Sequence, residues 1–356
     1  MKSLGNLPDP FLSEIAAQPD ALRRAGRGLT LRERELDAIR GRTGRGPVVF
    51  TGMGASYNSC YVPVTLLAGR GVDATMIDAA ELLHFRRSIL GEDSLVVMVS
   101  QSGESAEVVR LLESVEGPRG PFVVSVTNGT ENSLARGASV SLDTGAGRED
   151  GPSTKTFGAT LVVLAAITEV LSGASAEPAI SVTVESAVRA AAEARSILDR
   201  GRELAARATA WFGDRPAMAL LGRGTARAAS ETGALILKEA ARVPAESLEA
   251  GQFRHGPLEL AGPGLAAAVI ATEEATSALD LALASELLRT GAAVLVITNG
   301  AAAPEGAEVV RIPDVGRALG PALAVVPFQL LAWSLAHERG FSPNELRVAS
   351  KVTTRE

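Results

Sequence analysis

The ten residues from Val96 to Ser105, VVMVSQSGES, hold the densest potential chemistry in the chain. An apolar run of strand length stops abruptly in hydroxyl and amide side chains. A helix pattern follows, with Val108, Val109, Leu111 and Leu112 as its apolar positions. A parallel strand that feeds a helix sets its loop at the carboxyl edge of a sheet, where α/β proteins bind ligands. Ser100, Ser102 and Ser105 offer hydroxyls, Gln101 offers an amide, and the helix start offers unpaired backbone N–H groups. Together they suit an anion of phosphate size. Upstream, the Gly52/Gly54 turn lets the backbone come close to a ligand, and Ser56 adds a further hydroxyl. Read singly, the same stretch is also an ordinary polar turn, since Ser and Gly punctuate many loops.

Three other clusters carry reactive side chains. Ser153-Thr154-Lys155-Thr156 starts a helix, so its hydroxyls read either as caps or as ligand contacts, and Lys155 as a solvated charge or a contact. Between Lys238 and Leu260 lie Glu239, Glu246, Glu249 and the loop Gly251-Gln252-Phe253-Arg254-His255-Gly256-Pro257-Leu258. Glu239 follows the apolar helical run Ala234–Leu237, and partial burial there would suit a proton shuttle. His255 sits in a loop-like context that suits an exposed imidazole able to move protons near neutrality, whereas His84 and His337 fall in helix patterns and read as structural or surface groups. Glu239 and His255 also read as a solvated carboxylate and a satisfied histidine. The last cluster is the tail from Arg347, with Lys351 as either a reactive amine or a surface charge. No His and Cys residues recur at ligand spacing, so no bound metal is expected.

The elements that must position these residues repeat. A helical pattern over 9–40, interrupted at Pro19, reads as a packing arm. Strands are predicted at Pro47–Phe50, Ala74–Ile77, Ser94–Val99, Phe122–Val126 and Ala138–Leu142. Helices are predicted at 57–69, Ala79–Arg87 and, after a polar glycine-rich loop at Gly145–Ser153, Thr154–Leu171. This alternation predicts a doubly wound parallel sheet. Gly222-Arg223-Gly224-Thr225, at the end of the strand Ala217–Leu221, matches Gly52-Met53-Gly54-Ala55. Thr298-Asn299-Gly300, at the end of Ala293–Ile297, matches Thr127-Asn128-Gly129 at nearly the same offset. The chain therefore reads as a tandem duplication. The arm spans 1–40, the first domain 41–175, a linking helix 176–210, the second domain 211–340, and a tail 341–356 contributes to the site. Where the first copy has Ser100-Gln101-Ser102-Gly103, the second has Ala271-Thr272-Glu273-Glu274, whose carboxylates repel a phosphate. One anion site per chain is expected.

Composition excludes other classes. With 46% hydrophobic and 21% charged residues the chain is globular rather than disordered. A formal net charge of −6, with only 4% aromatic residues, argues against a nucleic-acid partner. The single cysteine, Cys60, permits no intrachain disulfide, which fits a reducing cytoplasm. Residues 1–10 hold no apolar leader core, and the apolar stretch Leu161–Leu171 is too short to span a bilayer, so no membrane is expected.

Together the clusters resemble the tandem SIS (sugar isomerase) domains that form the isomerase half of glutamine–fructose-6-phosphate aminotransferases. The motifs that carry the resemblance are Glu14-Ile15-Ala16-Ala17-Gln18-Pro19, Gly54-Ala55-Ser56-Tyr57-Asn58-Ser59, Ser100-Gln101-Ser102-Gly103-Glu104, Ser153-Thr154-Lys155, Leu221-Gly222-Arg223-Gly224, Leu237-Lys238-Glu239, His255-Gly256-Pro257-Leu258 and the Lys351 tail. The resemblance implies two α/β SIS domains. Ser56, Ser100, Gln101, Ser102 and Ser105 would hold a sugar phosphate, with Ser153 nearby. It further implies that Lys351 forms a Schiff base with an open-chain ketose, that Glu239 moves the proton between C1 and C2, and that His255, from a neighbouring subunit, opens the ring. A homodimer with shared active sites follows, and no cofactor. The glutaminase half is missing, so ammonia would not be drawn from glutamine. The expected reaction is conversion of an amino-sugar 6-phosphate, glucosamine 6-phosphate, to fructose 6-phosphate and ammonia. The alternatives are a fructosamine-phosphate deglycase and a sugar-phosphate sensor without turnover. Two positions depart from the family pattern: Ile236 stands where it has lysine and Gln252 where it has glutamate.

Overall fold

A computed structural model describes residues 9–300, 302–348 and 350–355. The chain forms two compact units. One holds Gln18–Glu149, Lys155–Ala191 and the tail from Val348. The other holds the segment up to Ala17, Asp150–Thr154 and Ala192–Arg347.

Three helices lead: α1 (Pro10–Ala16), α2 (Gln18–Leu29) and α3 (Glu33–Arg40). The break in the arm falls at Ala17. Pro19 lies in the first turn of α2, where a missing N–H leaves nothing unpaired. Asp9 caps α1 through the N–H of Leu12.

The first sheet comprises β1 (Val48–Gly52), β2 (Ala74–Met76), β3 (Leu95–Ser100), β4 (Phe122–Thr127) and β5 (Val140–Asp143). All pairings are parallel, in the order β2-β1-β3-β4-β5. The intervening helices are α4 (Gly54–Ser59), α5 (Tyr61–Ala68), α6 (Ala79–Glu81), α7 (Ala106–Val115) and α8 (Ser133–Gly137). From α6 the chain runs on as a π-helix to Arg86 and a 3₁₀ turn to Ile89, where one helix to Arg87 is predicted. Every residue of β1 and β3 is buried, which is why they read as unbroken apolar runs: helices cover both faces of a parallel sheet. The long helix α9 (Lys155–Leu171) is apolar all round because it is buried all round, packed on α2, α3 and α5.

In place of one linking helix there are two, α10 (Ala176–Asp199) and α11 (Gly201–Phe212). Arg200, at φ −101° and ψ 10°, leaves helical geometry between them, and a glycine follows. The second sheet comprises β6 (Ala217–Gly222), β7 (Ala245–Glu249), β8 (Leu265–Ala271), β9 (Ala293–Thr298) and β10 (Glu308–Arg311), parallel throughout in the order β10-β9-β8-β6-β7. Its helices are α12 (Ala226–Ala241), α13 (Ser277–Arg289), α14 (Gly320–Ala324) and α15 (Val326–Glu338). Taken in chain order, both sheets have the same 2-1-3-4-5 arrangement, so the duplication extends to topology. Of the strands of this second sheet β6 and β9 are predicted, and β7, β8 and β10 are not. β7 and β10 are edge strands, half exposed and carrying charges, so they lack the apolar signature, whereas β8 is fully buried but alanine-rich, a weak strand signal. Gly320–Glu338 is long and apolar enough to cross a membrane, but 78% of its most apolar window is buried inside the protein, with α15 packed on α11 and α12.

Candidate functional site

In a 2-1-3-4-5 parallel sheet the strand order reverses between the first and third strands, and ligands bind outside the carboxyl ends there. In the first sheet this point lies between β1 and β3. Register pairs Gly52 with Val99, so the loops after both strands leave the sheet side by side. A Cβ on Gly52 would stand 2.6 Å from the carbonyl oxygen of Val99, so only glycine permits this approach. Ser56 lies one turn into α4, beyond Gly52, and Ser100 is the last residue of β3.

The loop Gln101–Ser105 is held from within. The N–H of Gly103 donates to Ser100 Oγ at 3.1 Å, the N–H of Glu104 donates to Ser102 Oγ at 3.1 Å, and the hydroxyls of Ser100 and Ser105 lie 3.4 Å apart. The Gln101 carbonyl accepts the N–H of Asn128 at 3.1 Å. Gly103 has φ +66°, and a Cβ there would stand 1.9 Å from Asn132 Oδ1. The one acid in the motif turns away: Glu104 accepts the N–H and hydroxyl of Ser133 at 2.8 and 2.9 Å, capping α8. Its charge is thus spent on a helix start, leaving the loop fit for an anion.

The tail meets this loop. The N–H of Ala106, the first residue of α7, donates to the Thr353 carbonyl at 2.9 Å. Two residues earlier, Lys351 Nζ lies 3.3 Å from Oε2 of Glu149, whose side chain is fully buried. Glu149 sits in the glycine-rich loop after β5, and that loop is far from loose. Arg24 donates to the carbonyls of Gly145 and Ala146, while the Asn128 amide binds the Gly147 carbonyl and the Ala146 N–H. Sequence reasoning missed Glu149. Its only signal was an acid four residues before the Ser153-Thr154-Lys155 cluster.

Ser153, Glu239 and His255 belong to the other unit. Glu239 lies in the last turns of α12 and is half buried, as its place after an apolar helical run predicts. His255 is exposed, and its segment is pinned on both sides. Phe253 is fully buried in the core beside Leu221 and Leu248. Glu249, at the end of β7, accepts the N–H of Gln252 at 2.7 Å and Arg223 Nε at 2.9 Å. Burial pushes the Glu249 carboxyl up, but the amides of Gly251 and Gln252 and the Arg223 guanidinium outweigh it and hold the group below its usual value. Ile236 is fully buried and Gln252 exposed, so the first departure from the family pattern is a core position here. Burial pushes the Cys60 thiol up to about 12, which removes it as a nucleophile.

Comparison with known proteins bears on both halves. The SIS domain family matches residues 45–170 and 214–338. The chain belongs to the SIS-domain family. A glutamine–fructose-6-phosphate aminotransferase of Pyrococcus horikoshii is 30% identical over 360 residues, which is 99% of this chain and 59% of that protein. The chain thus spans about three-fifths of the curated relatives it matches. The C-terminal domain of glucosamine-fructose-6-phosphate aminotransferase from Francisella tularensis superposes with a TM-score of 0.85 at 22% identity, covering 96% of this chain and 99% of that one. Glucosamine-6-phosphate deaminase from Thermotoga maritima superposes with 0.66 at 21% identity, covering 92% and 99%. At these identities the likeness establishes the fold.

The second SIS domain fills its own switch point. Glu273, 6% exposed, follows β8 where the first domain has its serine loop. It accepts the N–H and hydroxyl of Thr225 at the start of α12, and Arg317 Nε at 2.7 Å. A side-chain carboxylate occupies the place where the first domain presents hydroxyls.

Proposed function

We propose that this tandem SIS protein is an aldose–ketose isomerase/deaminase that converts an amino-sugar 6-phosphate, glucosamine 6-phosphate, to fructose 6-phosphate and ammonia. The observation that carries the reading is the bond between the Thr353 carbonyl and the Ala106 N–H. It fastens the tail bearing Lys351 to the first turn of the helix that follows the serine loop. A phosphate held by Ser56, Ser100, Gln101, Ser102 and Ser105 would then lie at one end of an open-chain sugar, with the Lys351 amine within reach of the other. In the direction of ammonia release a carboxylate moves the C2 proton of the open aldose to C1, leaving an imine at C2. Lys351 displaces ammonia from that carbon, and water hydrolyses the lysine imine to the ketone. In reverse, that imine makes the neighbouring C–H acidic enough for the same carboxylate to remove. Glu239 takes that role, and His255, exposed on its pinned loop, opens the ring from a neighbouring copy in a homodimer. Ser153 contributes a further hydroxyl. The names of the aminotransferase relatives and of the deaminase with this fold support the substrate class. The chemistry needs no cofactor, and a sugar-phosphate substrate fits the cytoplasm.

The test is incubation of the folded protein with millimolar glucosamine 6-phosphate, following ammonia and fructose 6-phosphate. Release of both in equal amounts, lost in Lys351→Ala while binding of the sugar phosphate persists, is the expected result. No release overturns the deaminase reading. Turnover unaffected by Lys351→Ala overturns the imine.

A further inference from the structure

The buried carboxylate under Lys351 has a geometry that capping alone does not require. Glu149 Oε1 accepts the N–H of Thr156, the second residue of α9, at 3.1 Å. That bond by itself would cap the helix. Oε2 accepts the Thr156 hydroxyl as well and faces Lys351 Nζ at 3.3 Å. Both oxygens are therefore oriented by one residue of a buried 17-residue helix, while the Glu149 side chain is wholly buried and Lys351 keeps 26% of its side-chain surface. A carboxylate so placed is costly without a cationic partner, and its charge draws the tail amine to one spot. A lysine on a chain terminus would otherwise sample many rotamers.

We infer that Glu149 is the positioning carboxylate for Lys351, holding the amine for attack on the sugar carbonyl and holding its proton while the imine forms. This rests on Lys351 being the imine-forming residue. The ammonium of Lys351 passes one proton to Glu149 Oε2. The freed lone pair forms the C–N bond at the carbonyl carbon, and the C=O π pair moves to oxygen. A second amine proton moves to that oxygen, Glu149 returns the borrowed proton, and the oxygen departs as water. The product is a protonated imine that keeps the third proton, with Glu149 again ionised beside it as counter-ion. Atoms and charge balance: ammonium and ketone give iminium and water. The step as written is the one entered from the ketose, the product of the proposed reaction, whose open-chain carbonyl reaches Nζ on the side away from Glu149.

The experiment traps the imine with cyanoborohydride in the presence of fructose 6-phosphate and locates the adduct by peptide mass. Glu149→Gln keeps the size and can still accept the Thr156 N–H. It is expected to slow trapping at Lys351 by about 100-fold, the scale of a lost proton acceptor, while affinity for a sugar-alcohol phosphate, which has no carbonyl, changes less than twofold. Thr156→Val, which removes only the hydroxyl that orients Oε2, is expected to slow trapping with Thr156→Ser restoring it. That series keeps the inference testable should Glu149→Gln not fold. Trapping at the wild-type rate in Glu149→Gln, or in Thr156→Val, overturns the role of Glu149 and leaves Lys351 intact. Absence of any Lys351 adduct in the wild type overturns the imine reading itself, and this inference with it.

Discussion

The carboxylate of Glu273 accepts the backbone N–H of Thr225 at 2.8 Å, bridging the ends of β8 and β6. In the first SIS domain the equivalent gap, between β3 and β1, is lined by Ser100, Ser102 and Ser56. The duplicated fold makes the same helix-start position twice, and the two copies satisfy it differently. One surrounds it with serine hydroxyls, the other closes it with its own carboxylate and Arg317.

Removing that internal anion has a defined consequence. Glu273→Ala leaves the Thr225 N–H and one face of Arg317 without their acceptor. A loss of about 2 kcal/mol is expected, less than for a fully buried pair because Arg317 is half exposed. Inorganic phosphate at tens of millimolar should recover part of the melting temperature in the variant beyond any gain in the wild type. Thermal denaturation with and without phosphate measures both, and an equal phosphate response in the two proteins would sink the idea that Glu273 stands in for an anion.

Gly103 is the residue on which the shape of the anion loop turns. Alanine there faces a left-handed backbone and a contact of 1.9 Å with Asn132 Oδ1, the atom that caps α8 through the N–H of Ala135. Left-handed strain alone costs roughly 1–2 kcal/mol. Gly103→Ala is expected to weaken sugar-phosphate binding by about 10-fold or more, since the loop must move to admit the methyl. Titration calorimetry with fructose 6-phosphate checks this, and wild-type affinity in the variant would refute it.

Asp280 has the opposite pH behaviour to most carboxylates. It is buried, and that burial raises its carboxyl from 3.8 to about 6. Arg223, 2.9 Å away, and Thr276 pull it down, while Glu249 and Glu273 push it up. The folded state therefore holds a proton that the unfolded chain has released between pH 3.8 and 6. The contribution of Asp280 to stability is fully present below pH 3.8 and is lost as pH rises through about 6. Asp280→Asn removes the titration. The stability difference, variant minus wild type, is expected to shift in the variant's favour by on the order of 1–2 kcal/mol between pH 4 and pH 6.5. Denaturant melts at the two pH values measure it, and a pH-independent difference contradicts the expectation.

Much of this molecule is legible in its sequence because its strands are buried on both faces. Phe122–Val126 and Ala293–Ile297 announce themselves as apolar runs ending in the same Thr-Asn-Gly turn, and that recurrence, with the glycine turns at Gly52 and Gly222, reveals the duplication. Other parts escape reading, most of them where burial is partial or polar, and β8 because its buried run is alanine-rich. β7 and β10 are charged edges. The helix predicted over 176–210 breaks at Arg200, a residue with no helix-breaking chemistry of its own. His337, read as a structural or surface residue, is exposed and paired with Asp9 Oδ2, 328 positions away, which also accepts Trp333 Nε1 at 2.9 Å. No periodicity carries that pairing.

What the sequence by itself determined is the inventory and its strand-end placement: serines after β3, a glycine turn after β1, carboxylates in the second copy where the first has hydroxyls. Hydrophobic period and turn chemistry are local, so they survive being read one residue at a time. Only the tertiary structure decided which charges are spent and which remain. Glu104 is consumed capping α8 and Glu273 closes its own domain, while Glu149, in a loop that reads as filler, becomes the buried partner of Lys351 at the far end of the chain. Those outcomes depend on which backbone amides and cations a carboxylate meets in space. Contacts between residues separated by scores of positions leave no mark on local sequence pattern.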